Sequence, residues 1–170
     1  MNRPVPASHL LPRHSESAAP RFKWEKFRDI AKELLPLFIR HWEEIEQDRE
    51  AVPLDMDFDS YYRLDLEGML HILTVRIDGR IVGYSFSLVG PHLHHQSTKT
   101  AHTEMFWLAP EYRSGWTGVR LLRLTRRGLK DRGVKLHTID FRLSFQGGRV
   151  GKLLARLGYR PTAIVTRRIL

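Results

Sequence analysis

Apolar residues return every three or four positions over residues 24–45, at Phe27, Ile30, Leu34, Phe38, Trp42 and Ile45, the spacing of one face of an amphipathic helix. Pro36 falls inside this pattern and predicts a kink or a division of that helix. Phe58, Tyr62 and Leu66 repeat the spacing over residues 57–68, a second and shorter helix with Asp55 or Asp57 placed to cap it. The period then changes. Residues 70–77 and 81–89 are runs of β-branched and apolar residues joined by Asp78-Gly79, which predicts a β-hairpin.

The stretch 91–100, PHLHHQSTKT, reads as a polar connector, and residues 101–108 as a third strand that stops before Pro110. Val119, Leu122, Thr125 and Leu129 make the apolar face of a long helix; Arg120, Arg123, Arg127 and Lys130 lie largely on its other faces, and Gly133 stops it. Residues 134–143 predict a fourth strand, 151–157 a short helix ended by Gly158, and 159–169 a terminal strand or strand pair. This order predicts an α/β (α+β layered) domain, a mixed sheet covered by helices. Residues 1–20 carry Pro4, Pro6, Pro12 and Pro20 with no apolar period and read as a flexible N-terminal arm. Residues 21–170 then form a single domain, as the length of 170 residues suggests.

Composition narrows the chemistry. The chain has no cysteine, which excludes disulfides, thiolate zinc sites and a cysteine acyl-enzyme. No run approaches the apolar length of a membrane span, and residues 1–20 lack the apolar middle of a signal peptide, so the expectation is a cytoplasmic protein with no membrane partner. The net charge of +9 is unevenly spread: residues 43–67 hold ten acidic residues against Arg49 and Arg63, a local net of −8, leaving +17 for the remainder. Blocks of opposite sign suit two faces, one for an anion and one for a cation.

The most informative stretch is HTEMFWLAPEYRSGWTGVRLLRLTRRGLKDR, residues 102–132. A strand that opens through Gly115 and Gly118 into a helix presents unpaired backbone N–H groups and the positive end of the helix dipole at one point. Such a point holds phosphate. These residues resemble the GNAT superfamily of acyl-CoA-dependent N-acetyltransferases, whose signature is a strand, a loop Q/R-x-x-G-x-G/A and a helix. Arg113-Ser114-Gly115-Trp116-Thr117-Gly118 matches at its first and last positions, with Trp116 where the family usually has glycine and Gly115 one residue early. Leu108-Ala109-Pro110-Glu111-Tyr112 and Arg156-Leu157-Gly158-Tyr159 resemble further landmarks, and the element order fits from Trp24 onward. The chain looks most like the short GNAT proteins of tailed bacteriophages, for which the location would be the host cytoplasm or the virion.

The resemblance implies a GNAT-like mixed, mostly antiparallel central sheet flanked by helices, with acetyl-CoA as co-substrate and no metal. It implies that the strand end at Phe106, Trp107 and Leu108 splays from its neighbour and pairs with the pantetheine arm. The loop Arg113, Ser114, Gly115, Trp116, Thr117 and Gly118 would receive the pyrophosphate. Members commonly draw a general base, often Glu, from this strand; here the candidates are His102 and Glu104, two residues apart and so on one sheet face. Many members carry, in the last helix, a Tyr that reprotonates the thiolate, a position held here by Leu154.

The function expected is transfer of an acetyl group directly to a primary amine, on a small molecule, a protein Lys or an N-terminus. Asp55, Asp57 and Asp59 in the acidic block would draw a cationic acceptor. The alternatives are a catalytically degenerate GNAT-fold protein with a CoA-binding or structural role, for example in a phage, and a basic nucleic-acid-binding domain. Nucleic acid is not the expected partner, because no recognisable module accompanies the arginines of the long helix. His92, His94 and His95 have no Cys or paired carboxylate to complete a metal site and are assigned to the connector. A homodimer is compatible with the sequence.

Overall fold

In the computed structural model, which describes residues 18–141 and 147–169, nine elements follow one another. They are β1 (Arg21–Glu25), α1 (Phe27–Ile45), α2 (Phe58–Leu66), β2 (Leu70–Ile77), β3 (Arg80–His92), β4 (His95–Leu108), α3 (Thr117–Asp131), β5 (Leu136–Ile139) and α4 (Gly147–Arg156), with a 3-10 turn at Pro110–Tyr112. The strands form one sheet in chain order, antiparallel throughout except that β5 runs parallel to β4. This is the mixed sheet between helices that the pattern predicts, mostly antiparallel as the resemblance implies.

Period-2 alternation divides the strands between two cores. Ile72, Ile81, Tyr84, Phe86 and Trp107 pack against Phe27, Ile30, Leu34 and Phe38 of α1. On the opposite face Leu73, Val75, Val82 and Leu108 pack against Leu121 of α3. Each such apolar side chain contributes about 1.5–3 kcal/mol when fully buried. α3 comes close to the sheet because Gly128 has no side chain: a Cβ there would stand 2.6 Å from Trp24 and 2.7 Å from His71. The hairpin turn is built as Asp-Gly predicts, with Asp78 at φ 50° and Gly79 at φ 79°.

Several expectations are corrected. Residues 21–25 form a strand on β2 and the helix begins only at Phe27. The helix continues through Pro36, whose exposed position puts the missing N–H on the solvent side, and its buried face ends on His41 where the spacing had placed Trp42. The polar stretch 91–100 is a continuation of the β3–β4 ladder, with Pro91 opposite Lys99 and His92 opposite His95. Backbone pairing propagates from Val89 and Ala101 whatever the side chains are. β5 is only four residues long, and the predicted strand at 134–143 runs partly outside the described residues. Residues 159–169 form no strand: Pro161 offers no N–H, Ile164 and Val165 are exposed, and Arg167 is held instead by Glu46 and Asp48. The predicted arm, residues 1–20, lies outside the described residues except for its last three.

Three histidines are held neutral by the fold. Burial is the main cause of a pKa lowered to about 4 for His41, His71 and His137; Arg113, Arg132 and His102, respectively, push in the same direction. In the unfolded chain each imidazole takes up a proton near its ordinary value, so unfolding binds protons as the pH falls. Stability present at pH 7 is therefore lost between about pH 6.5 and 4, by up to about 1.4 kcal/mol per pH unit for each histidine. Urea titrations from pH 7.5 to 4.5 are expected to show this loss, with a smaller slope in His41→Gln. A flat profile would mean that these rings are solvated.

Candidate active site

β4 is paired on both sides over only part of its length. Its ladder with β5 covers Thr100–Leu136 to Thr103–Ile139, and beyond Thr103 its outer edge carries no strand among the described residues. The break coincides with a β-bulge: Phe86 faces Met105 and Ser87 faces Thr103, leaving Glu104 without a partner in β3. Bulges re-aim side chains and end pairing next to functional sites. The edge from Glu104 to Trp107, which no strand covers among the described residues, offers backbone donors and acceptors to an extended ligand.

That edge leads into the loop before α3. Gly115 takes φ 76° and lets the chain reverse. The first bond of α3 runs from Arg120 N to Trp116 O at 2.9 Å, and the amides of residues 114–119 have no acceptor among the described residues. Trp116 caps the helix without a side-chain bond and is 70% exposed, so its ring stands clear of the loop. A Cβ at Gly118 would meet Leu108 only at 3.9 Å, so the protein's own packing does not demand glycine there. Consecutive free amides at a helix start are an anion cradle.

The Arg113 guanidinium faces away from that cradle. It donates to both oxygens of Glu44 at 2.5 Å and, through Nε, to the Leu108 carbonyl at 2.7 Å. Glu44 also accepts from the Trp107 indole at 2.9 Å. Burial pushes the Glu44 carboxyl up, yet the bonds from Arg113 and Trp107 outweigh it and leave its pKa below the usual carboxylate value. Trp107 and Leu108 are core side chains and Phe106 packs beside them, so at these three positions it is the backbone that meets the open edge. Glu44 carried no signal in the sequence beyond its charge.

His102 and Glu104 stand near the break. His102 Nδ1 lies 3.0 Å from the Thr138 hydroxyl, and its Nε2 lies 3.7 Å from an Asp140 carboxylate oxygen. Glu104 is exposed, and after burial its carboxylate is what pushes the Tyr61 hydroxyl up, which puts it on the α2 side of the sheet. The opposite face carries a chain of bonds that sequence reading missed. Tyr159 Oη is 2.6 Å from His137 Nδ1, His137 Nε2 is 2.7 Å from Thr103 Oγ1, and Thr103 Oγ1 is 2.7 Å from Ser87 Oγ. Alternation along β4 was the available signal, since it sets Thr103 opposite in sense to His102.

The acidic block is partly consumed by the fold. Besides Glu44, Glu46 and Asp48 hold Arg167, and Asp65 lies 3.9 Å from Lys26. Asp57 caps α2, accepting from Ser60 N at 2.9 Å. The Asp55 and Asp59 carboxylates are exposed and make no hydrogen bond or ion pair among the described residues; no direct contact joins them to His102 or Glu104. His92 and His95 stack at the β3–β4 tip with ring centres 5.0 Å apart, and no group of three metal-ligating side chains occurs among the described residues.

No protein-family profile and no curated protein sequence matches the chain. Solved structures do. The ribosomal-protein-alanine N-acetyltransferase of Brucella melitensis biovar Abortus 2308 superposes with a TM-score of 0.64 at 16% identity, covering 88% of this chain and 99% of that one. An aminoglycoside acetyltransferase from an uncultured soil metagenomic sample gives 0.71 at 13% identity over 90% and 99%. A predicted acetyltransferase from Clostridium acetobutylicum, solved with acetyl-CoA, gives 0.64 at 11% identity over 88% and 96%. The fold is that of the GNAT acetyltransferases.

Replacing Glu44 by Ala strips Arg113 and Trp107 of their acceptor, and an unsatisfied part-buried donor costs about 1–3 kcal/mol. The urea midpoint of Glu44→Ala is expected to fall accordingly, with Glu44→Gln between it and the parent. An unchanged midpoint would show that this ion pair does not secure the loop.

Proposed function

We propose that the chain is an acetyl-CoA-dependent N-acetyltransferase that moves the acetyl group directly to a primary amine. One observation carries the reading: the edge of β4 that is unpaired among the described residues leads, through the 3-10 turn at Pro110–Tyr112, to the amides of residues 114–119, which have no acceptor among those residues. A pantetheine arm carries amides that pair with a strand edge, and a pyrophosphate suits the amides of Ser114, Gly115, Trp116, Thr117 and Gly118. The Arg113 side chain contributes by holding the loop. The similar structures that are acetyltransferases, one of them solved with acetyl-CoA, support the same substrate.

In this reading the amine nitrogen forms a bond to the acetyl carbon as the carbon–sulfur bond breaks, and the nitrogen gives up a proton. His102 and Glu104 are the acceptors for that proton, with Asp140 and Thr138 positioned to orient the imidazole. A CoA-binding protein without turnover is the second reading. Leu154 favours it, because a buried leucine, 4% exposed, stands where many relatives of this fold have the tyrosine that returns a proton to the thiolate. The acceptor we assign is cationic. Asp55 and Asp59 leave two carboxylates without a side-chain partner beside α2, and one of the similar structures is an aminoglycoside acetyltransferase.

Gly118→Glu sets a negative side chain against the anion cradle and is expected to weaken acetyl-CoA binding by at least about tenfold in calorimetry, more than 1.4 kcal/mol. Full affinity in a folded variant would place the cofactor elsewhere. The double variant His102→Gln, Glu104→Gln is expected to lose about 10²–10⁴-fold in thiol release while binding acetyl-CoA as the parent does. Undiminished turnover would move the base to another residue.

A salt series tests the acceptor. Exposed carboxylates steer cations over about 8 Å at physiological ionic strength, so acceptor KM is expected to rise with salt. Neutralising Asp55 and Asp59, with Asp57 spared because it caps α2, should raise KM for the acceptor and leave that for acetyl-CoA unchanged. Preference for neutral acceptors with salt-independent KM would return the acidic block to plain surface.

A further inference from the structure

Five cations from two helices converge on one recess on the outer side of α3. Arg123, Arg126, Arg127 and Lys130 of α3 line it together with Arg156 of α4 and Leu157. Arg126 is fixed across the groove by donating to the Leu157 carbonyl. The nearest acid is Asp131, whose contact with Arg127 is 4.0 Å long and largely exposed. Spacings of three and four set like charges beside one another on the helix surface, which weakens a helix by a few tenths of a kcal/mol per pair, roughly 0.2–0.5. No acidic residue among the described ones lines the recess to offset this.

We propose that this groove binds the phosphate backbone of a nucleic acid without regard to sequence. The inference goes beyond acetyl transfer and does not depend on it. From Arg123 to Lys130 the helix advances about 10 Å at 1.5 Å per residue, the length of about three base-pair steps of a duplex at a rise of ~3.4 Å each. Four of the five cations are arginines, whose planar forks match phosphate oxygens in pairs. An acidic protein partner fits less well, because the recess offers no aromatic or large apolar anchor beyond Leu157. An anionic membrane fits less well too, since no apolar face adjoins the cations for insertion. In the proposed function the cofactor's phosphates are served by the amides before Arg120, and Arg123 to Lys130 begin about 6 Å further along the axis. From the sequence alone these arginines read as a solvated face of α3. The fold adds Arg156 and the Leu157 carbonyl beside them.

The test is fluorescence anisotropy of the full chain with labelled mixed-sequence duplexes of about two helical turns, DNA in one arm and RNA in the other. Five contacts predict a slope of log affinity against log salt of about −4 to −5. The groove variant Arg123→Gln, Arg127→Gln, Lys130→Gln changes only exposed side chains and is expected to lower the slope by about 2–3 and the affinity by at least about tenfold. A control variant, Arg21→Gln, Lys32→Gln, Arg160→Gln, removes the same charge from exposed positions elsewhere and is expected to change affinity much less. Equal losses in the two variants would reduce the effect to net charge and overturn the proposal. So would unchanged binding by the groove variant, a loss of acetyl-CoA affinity in it without a loss of nucleic-acid affinity, or a stronger dependence on the groove for phosphatidylserine vesicles than for either duplex.

Discussion

Every backbone N–H and C=O in a sheet needs a partner, and β4 meets this requirement unevenly. Over residues 100–103 it is paired to both β3 and β5, while over residues 105–108 it is paired to β3 alone among the described residues. The bulge at Glu104 marks the change. His102 precedes the free edge, Glu104 opens it, and the amides of residues 114–119 come after it in the chain. A longer β5 would satisfy the edge.

The loop after β4 has to stay open at its amides and still be held in place, and the structure separates the two tasks. Arg113 turns its side chain to Glu44 and the Leu108 carbonyl, so the C-terminal end of α1, the end of β4 and the loop form one unit. Trp107 joins them through its indole. The part-buried carboxylate accepts from all its neighbours and stays charged. Removing it would leave two donors without an acceptor, which is why this ion pair matters more than the exposed ones around it.

α3 serves both sides of the molecule. Its apolar face lies against the sheet at a distance that Gly128 permits, and its N-terminus presents amides that have no acceptor among the described residues. What remains is a basic outer face that α4 converts into a groove. The acidic block has the opposite history. Read as a run of charge it is a uniform −8 segment, but folding commits Glu44, Glu46, Asp48, Asp57 and Asp65 to internal partners and leaves the carboxylates of Glu43, Glu50, Asp55, Asp59 and Glu67 without a side-chain partner among the described residues.

Local pattern determined a good deal. Apolar period placed α1, α2 and α3, the Asp78-Gly79 turn placed the β2–β3 hairpin, and the glycines around the start of α3 marked the loop that leads into it, because each of these depends on neighbours in the chain. Tertiary structure decided the rest. β1 exists only because β2 offers an edge to it, and residues 91–100 are strand because pairing spreads from a register fixed elsewhere. The terminal segment, β-branched as it is, found no ladder and is tied by Arg167 to α1's end. Arg113, matched by sequence to a phosphate-binding position, became a fastening for the loop once Glu44 arrived from 69 residues away. Local propensity shows which groups a residue can offer; only the packed chain decides which partner reaches them first.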